Sequence, residues 1–484
     1  MQPTGLLPFR LIIKYTLFII LMIIYFVYIL NIDYLNLSKE YYITIALPLV
    51  FILCFFTFLY DCISEYKTPF LIIFTIVAFV RYVFMSILLI NSSYYDGVSG
   101  VYPAQNSMIL AGYLMCWELI ADSIFIRYLS RKHLEKKYGF ESKNDFNIDS
   151  NVLIYLSIFF ITLILIIIFP IARKGISFFW ILNPAQNDEI GSYLMLFIRE
   201  CFNISKYFLF FAIVILLYKN KYFNFMKNKF VSYFIIISIS VLIIGIRIGT
   251  NRKKILADTL AMLLIMFKLF PKYKKLTIIA LSLLGLILIY ITTFFRKFTN
   301  SGADFITSFF DISRVQPYFL GQYNVSMAIE AKMYFGNSID LKTYIFGLLR
   351  PLLGVGQLVK TIDFVMVEDI FHKRISLGLT GFRHDQILPM IGQGYILFGF
   401  AFSPLLSLIS VWLGIKCDEL YQKGNKLEFQ FLSVYLASYL AQGMILNITI
   451  LLNNISFIVI PFAIFYSFGN FTRIRLKRVA AKSL

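Results

Sequence analysis

Apolar runs about as long as a bilayer is thick return again and again along this chain, and they constrain its fold more than any motif does. A helix needs ~20 residues to cross the hydrocarbon of a membrane. Twelve segments are candidates, at roughly 10–30, 41–60, 69–90, 106–127, 151–172, 197–218, 230–247, 255–270, 276–295, 386–415, 427–447 and 451–470. Hydrocarbon offers the backbone no hydrogen-bond partner, so segments like these become helices. Hydrophobic residues make up 59% of the 484 residues and charged ones 15%, with a mean hydropathy of +0.78, far beyond the needs of a soluble core. The expected fold class is an all-α polytopic membrane protein. It has about 12 transmembrane helices in a single membrane domain over residues 1–484, with one large extracytoplasmic loop between helices 9 and 10. The run at 255–270 is short, and the run at 386–415 is too long for one straight helix. The last two runs share a tight turn at Asn453-Asn454 or just before it. The first run is too long for the core of a cleavable leader and no small-residue cleavage site follows it.

Lys and Arg orient the chain, because cytoplasmic loops are enriched in them. With the amino terminus inside, the basic segments 127–143, 219–229, 272–275, 416–426 and 473–482 all fall inside, and the segment 91–105, which has no Lys or Arg, falls outside. Both termini are then cytoplasmic. The net charge of +19 follows mostly from this topology and implies contact with membrane lipids rather than nucleic acid. Five cysteines, Cys54, Cys62, Cys116, Cys201 and Cys417, lie in spans or inner loops and form neither a disulfide framework nor a metal-ligand pattern. No solenoid-type repeat is present.

The same orientation puts residues 296–385 outside. This stretch holds ten Lys/Arg, eight Asp/Glu and two of the three histidines, with enough Phe, Tyr, Leu and Ile to fold back on the membrane domain. Long segments of this kind inside compact structures are functional or disordered. Other outer segments also carry cations against the general rule. They are the hairpin Arg247 to Lys254, with Arg252, Lys253 and Lys254, and the pair Arg173-Lys174; the long segment itself adds Arg314, Arg350, Arg374 and Arg383. An anionic ligand on that side explains them, since guanidinium groups bind phosphate oxygens in pairs. The alternative is a misplaced span that leaves the hairpin cytoplasmic.

Charges within spans must face the protein interior and pair. Arg81 lies in the middle of one span, and Glu118 and Asp122 lie one helical turn apart at similar depth in the next. They fix two helices as a buried ion pair or mark a proton or substrate path. Arg199 and Glu200 either line a cavity or end their helix in water. His133 reads as solvated in a basic loop, and His372 as a surface residue. His384 stands between Arg383 and Asp385, shortly before Gly392-Gln393-Gly394-Tyr395, where a His beside a carboxylate can act as a general base.

In this arrangement the chain resembles the Wzy-type O-antigen or capsular repeat-unit polymerases, relatives of the O-antigen ligases. The resemblance rests on about a dozen spans with both ends inside, a large outer loop after the ninth, and arginine-rich outer segments in that loop and an earlier one. Polymerases of this kind carry an Arg, ten residues and then a Gly in their outer loops. Arg383 and Gly394 fit that spacing, whereas the positions eleven after Arg247 and Arg252 are Asp258 and Leu263. The ligases share a large outer loop with essential Arg and His, so both activities stay open.

The resemblance implies a metal-independent glycosyltransferase without cofactor, in the bacterial cytoplasmic membrane. Its substrate is a polyprenyl-pyrophosphate-linked oligosaccharide, and a chain-length regulator protein is a further partner. A hydroxyl of one lipid-linked repeat unit attacks the anomeric carbon of another glycan, and pyrophosphate leaves. Catalysis would fall to His384, Arg383 and Asp385, and substrate binding to Arg247, Arg252, Lys254, Arg314, Arg173 and Gly394. The arginines are expected to converge on one cationic cavity. The chain has no Walker-type Gly-Lys-Ser/Thr loop and no Asp-x-Asp pair. A rival from another class is a flippase that moves the same lipid without reacting it. Such a protein favours short loops and two similar halves, against the one dominant outer segment here.

Overall fold

In a computed structural model, the described residues are 6–35, 37–92, 95, 97, 100–134, 151–174, 176–178, 193–219, 229–248, 252–295, 312, 316, 319–359, 361–377, 379 and 386–482. Each expected apolar segment overlaps a helix, though three of them, 230–247, 386–415 and 427–447, run more than one residue past its ends. Helix α1 is Leu6–Leu30. A second rod joins α2 (Tyr42–Cys54), a π-helical turn at Phe55–Leu59 and α3 (Tyr60–Tyr66). A third joins α4 (Pro69–Phe79), a π-helical turn at Val80–Phe84 and α5 (Met85–Asn91). The chain reverses between α3 and α4 because Lys67 takes a left-handed conformation (φ 49°) and Pro69 starts the next helix. There the buried carboxylate of Asp418 accepts hydrogen bonds from Thr68 Oγ1 and from the Phe70 N–H at 2.9 Å, which stabilises the helix start.

Then follow α6 (Gln105–His133), α7 (Val152–Ile168), the single turn α8 (Pro170–Arg173), strand β1 (Ile176–Phe178), α9 (Tyr193–Lys219), α10 (Lys229–Gly245), strand β2 (Ile246–Ile248), α11 (Arg252–Leu269) and α12 (Lys274–Phe295). Among the described residues of the segment read as an outer loop are four helices: α13 (Gln322–Phe335), α14 (Leu341–Leu349), α15 (Val355–Val359) and α16 (Val367–Ile375). After it come α17 (Met390–Phe402), α18 (Leu405–Lys423), α19 (Leu427–Leu440) and α20 (Ile448–Lys482).

Among the described residues, six helical stretches are long and apolar enough to cross a membrane, and the bent pair α17–α18 is a seventh. The protein is thus a helical one with the makings of several membrane passes; its only described sheet is the two-stranded β1–β2 ribbon. Contacts divide the chain into two compact units. One comprises Met1–Glu141, Gly302–Gln422 and Ala437–Leu452; the other comprises Ser142–Ser301, Lys423–Leu436 and Asn453–Leu484.

One local expectation is narrowed and two are corrected. Of the two places offered for the final turn, Asn453-Asn454 lie inside α20; the turn comes before them, at 441–447, where the Asn447 side chain accepts the Ile450 N–H at 2.6 Å as an N-cap. The segment read as a span at 230–247 leaves the helix at Gly245 and becomes extended. Helix α13 does not lie over the first unit but inside it, with Gln322–Ala331 all buried. Tyr323, Met327 and Ala328 join Tyr41, Met85, Met108 and Phe371 in one apolar core.

The long run at 386–415 does break, with a bend of 105° between α17 and α18. Gly399, at φ 79°, lies just before the bend. Such a break strips carbonyls of their helical partners. Four receive side-chain donors from within the first unit: Lys332 Nζ reaches Tyr395 O (2.8 Å), Tyr344 Oη Leu397 O (2.7 Å), Ser403 Oγ Phe400 O (2.8 Å) and Trp117 Nε1 Ala401 O (3.2 Å).

Candidate functional site

In the first unit the charges expected within spans do meet. Arg81 Nη1 lies 2.9 Å from Glu118 Oε2, both side chains are fully buried, and the Tyr82 hydroxyl donates to the same oxygen at 2.7 Å. The guanidinium also donates to the Met444 carbonyl. Arg81 sits in the π-helical turn of its rod, a wide turn that is common at functional positions. Asp122 does not join this pair; it accepts from Ser407 Oγ at 2.8 Å. Arg81 Nε and Nη2, Glu118 Oε1 and Asp122 Oδ2 have no hydrogen-bond partner among the described residues. Arg81 also borders a cavity of about 10 Å³, lined with Thr44, Ser86, Gln316 and Gln322, room for about one water molecule.

A second polar layer in the same unit joins the segment 296–385 to the apolar helices around it. Glu330 of α13 pairs with Arg374 of α16, and its carboxylate also accepts the Ala104 N–H at the start of α6. The Arg374 guanidinium also lies over the Tyr334 ring. Tyr102 donates to Glu40 at 3.3 Å and shares a 2.6 Å hydrogen bond with Tyr41. Burial first, then the Tyr41 hydroxyl and the Glu40 charge, hold the Tyr102 phenol well above its ordinary range. His372, read as a surface residue, is half-buried, and its Nε2 donates to the Gln386 carbonyl at 2.8 Å. Gln393 links Glu368 (3.4 Å) to the Ile448 N–H (2.9 Å). Burial pushes the half-buried Glu368 carboxyl up, opposed by the Thr449 hydroxyl.

Arg383, His384 and Asp385 lie outside the described residues, as does Arg314. The chain is described again from the next residue, Gln386, which is buried and sits with Asn324 and the His372 ring. Gly394 lies inside α17, buried, where a Cβ would come within 1.9 Å of the Ser403 carbonyl. Close approach of two backbones at the bend therefore accounts for this glycine.

The second unit gathers the earlier cations. Strands β1 and β2 pair antiparallel with Ser177 opposite Arg247. Arg173, exposed on α8 just before β1, is thereby brought to the ribbon that also carries Arg247, with Arg252 and Lys254 in the first turn of α11. The side chains of Arg247 and Arg252 lie outside the described residues. Lys254 reaches Glu200 at 3.4 Å, and Glu200 also holds Asn203 and neighbours Arg199 at 3.8 Å. The ribbon has a buried support. Lys206 donates to the carbonyls of Ile243 (3.3 Å) and Ile246 (3.1 Å) and to Asp258 (3.1 Å), tying the end of α10 and the start of β2 to α11. Tyr207 also donates to Asp258.

Sequence reasoning singled out neither Lys206–Asp258 nor Glu330–Arg374. A Lys or Asp inside an apolar run was the available signal for the first pair; the second offered none, since both residues belong to a segment of mixed charge. His133, read as solvated, accepts from Lys416 Nζ at 3.2 Å and lies 3.6 Å from Glu419. Among the described residues no cluster of His, Cys, Asp and Glu is placed to hold a metal ion. Comparison with protein-family models, curated proteins and solved structures finds no match to this chain.

Proposed function

We propose that this protein polymerises polyprenyl-pyrophosphate-linked oligosaccharide repeat units into O-antigen or capsular polysaccharide, by glycosyl transfer on the outer face of a bacterial cytoplasmic membrane. The observation that carries this reading is the β1–β2 pairing. It brings the end of the short helix that carries Arg173 beside the strand that carries Arg247, with the first turn of α11, which carries Arg252 and Lys254, following that strand, and a buried Lys–Asp pair braces the strand. Cationic residues carried by neighbouring backbone segments suit a doubly charged leaving group, because guanidinium and ammonium groups stabilise charge that develops as the glycosyl bond breaks. The acceptor hydroxyl attacks the anomeric carbon, the bond to pyrophosphate breaks, and the hydroxyl proton passes to a base, for which His384 is the candidate. The energy of the reaction resides in the donor. The proposal has both termini cytoplasmic, about twelve crossings, and residues 296–385 outside.

The surface glycan of a strain lacking this protein tests the reading. One repeat unit per lipid anchor is the expected product. Full-length polymer accumulating on the polyprenyl carrier would instead make the protein a ligase, and unreacted repeat units trapped on the inner face would make it a flippase. In complementation, Arg247→Lys is expected to shorten or abolish the polymer, since a point charge loses the paired contact.

A further inference from the structure

We propose that the first unit carries a specific binding site for one anionic phospholipid at the basic end of α6. Two observations support it. The first is a cavity of about 440 Å³ lined by Phe58, Ile124, Arg127, Tyr128, Arg131 and Lys132, within the size range of small-ligand pockets. Three cations meet two aromatic rings and an aliphatic side chain there. Arg127 is held in place: its guanidinium donates to the Thr57 carbonyl, in the π-helical turn at Phe55–Leu59, and lies over the Phe58 ring at 5.7 Å. Lys132 lies over Tyr128 at 5.8 Å.

The second is a stripe along the same helix. Tyr113, Trp117, Ile124 and Tyr128 are all exposed, at helical spacing, while Glu118, Asp122, Ile126 and Leu129 on the other side are buried. This apolar stripe leads along α6 into Arg131 and Lys132. A hydrocarbon chain laid on the stripe therefore ends with its headgroup among the cations, the pattern of basic headgroup pockets at membrane boundaries. An adjoining cavity of about 370 Å³ shares Arg127 and Arg131 but adds Asp61 and Glu65. Lys14 binds Asp61 through both carboxylate oxygens at 2.9 Å, so less of that negative charge faces the basic side. The surplus of positive charge selects a lipid with net negative charge over a zwitterionic one.

Native mass spectrometry of the full-length protein, released from bilayers of mixed phosphatidylglycerol and phosphatidylcholine, tests the proposal. One retained phosphatidylglycerol per protein is expected, held in preference to phosphatidylcholine and not displaced by inorganic phosphate. Arg131→Gln with Lys132→Gln, both exposed and outside the core, removes two charge-assisted contacts and is expected to weaken retention at least roughly tenfold. Its thermal unfolding should match the parent's, which separates loss of the site from loss of the fold. Equal retention of both lipids, an unchanged preference in the double variant, or displacement by inorganic phosphate would each overturn it.

Discussion

Arg374 Nε donates to Glu330 Oε2 at 2.7 Å, and the other oxygen of that carboxylate accepts the backbone N–H of Ala104 at 2.5 Å. One buried carboxylate thus ties three segments together: the start of α6, the buried helix α13 and helix α16. Removing one member of such a pair strands a buried charge, which costs ~3–5 kcal/mol. Glu330→Ala is therefore expected to lower the unfolding temperature sharply in detergent. Glu330→Met combined with Arg374→Met should recover much of the loss, and equal instability of single and double variants would argue against the pair as the cause.

Gly394 has two explanations with separable consequences. If its role is the backbone approach to Ser403, Gly394→Ala overpacks the bend and costs ~1–3 kcal/mol. Thermal unfolding should fall while any residual activity per folded molecule is retained. A stable variant that polymerises poorly would favour a substrate contact instead.

The raised Glu368 carboxyl gives stability a pH dependence of definite sign. Its protonated form is favoured in the folded state, so its contribution is present below the ordinary carboxylate range and is lost as pH rises through the raised value. Glu368→Gln fixes a neutral side chain that keeps hydrogen-bonding capacity. The variant is expected to be more stable than the parent at neutral and alkaline pH, with the advantage vanishing in acid. A variant that gains nothing at any pH would show that burial is not what shifts this group.

Asn337 is exposed in the turn after α13. Of the native thiols four are buried, and Cys116 is half-buried in the middle of α6. Asn337→Cys should react with a membrane-impermeant thiol reagent in intact cells or spheroplasts over a low background. Reaction only after lysis would turn the whole topology over.

His384→Gln retains hydrogen bonding but cannot take a proton at neutral pH. Loss of a general base costs ~10²–10⁴ in rate, so the variant should insert and bind lipid-linked substrate yet polymerise very slowly. Polymer at the normal rate would remove His384 as the base, and the next group to test would be Asp385, followed by Glu368 and Asp369.

Apolar runs announced the helices because lipid leaves a backbone few other choices, and the cost of lone charges announced that Arg81 and Glu118 would meet. Helix α13 was hidden for a related reason. Gln322, Asn324, Ser326, Glu330 and Lys332 make its sequence read as a solvated loop, and burial becomes possible only through distant partners. Gln322 reaches the Met108 carbonyl at 2.6 Å, and Asn324 the Ile387 carbonyl at 3.1 Å. The final turn was placed only loosely because an Asn pair is a strong turn signal, while the single Asn447 that caps α20 ahead of that pair looks ordinary in sequence. For the site, the cations of 173 and 247–254 were legible as exceptions to a charge rule. The strand pairing that joins them was not, because three-residue strands carry no periodicity.

The 105° break in α17–α18 has a consequence for how the chain is assembled. Two of the donors that quiet its stranded carbonyls, Lys332 and Tyr344, come from α13 and α14 of the segment between 296 and 385. Those helices emerge earlier in synthesis than α17, so they are made in time to receive it. A backbone carbonyl left bare in hydrocarbon costs several kcal/mol. The segment thus serves as scaffolding for the bend that follows it, and a chain from which it has been excised keeps the glycine that makes the bend but loses the donors for the Tyr395 and Leu397 carbonyls.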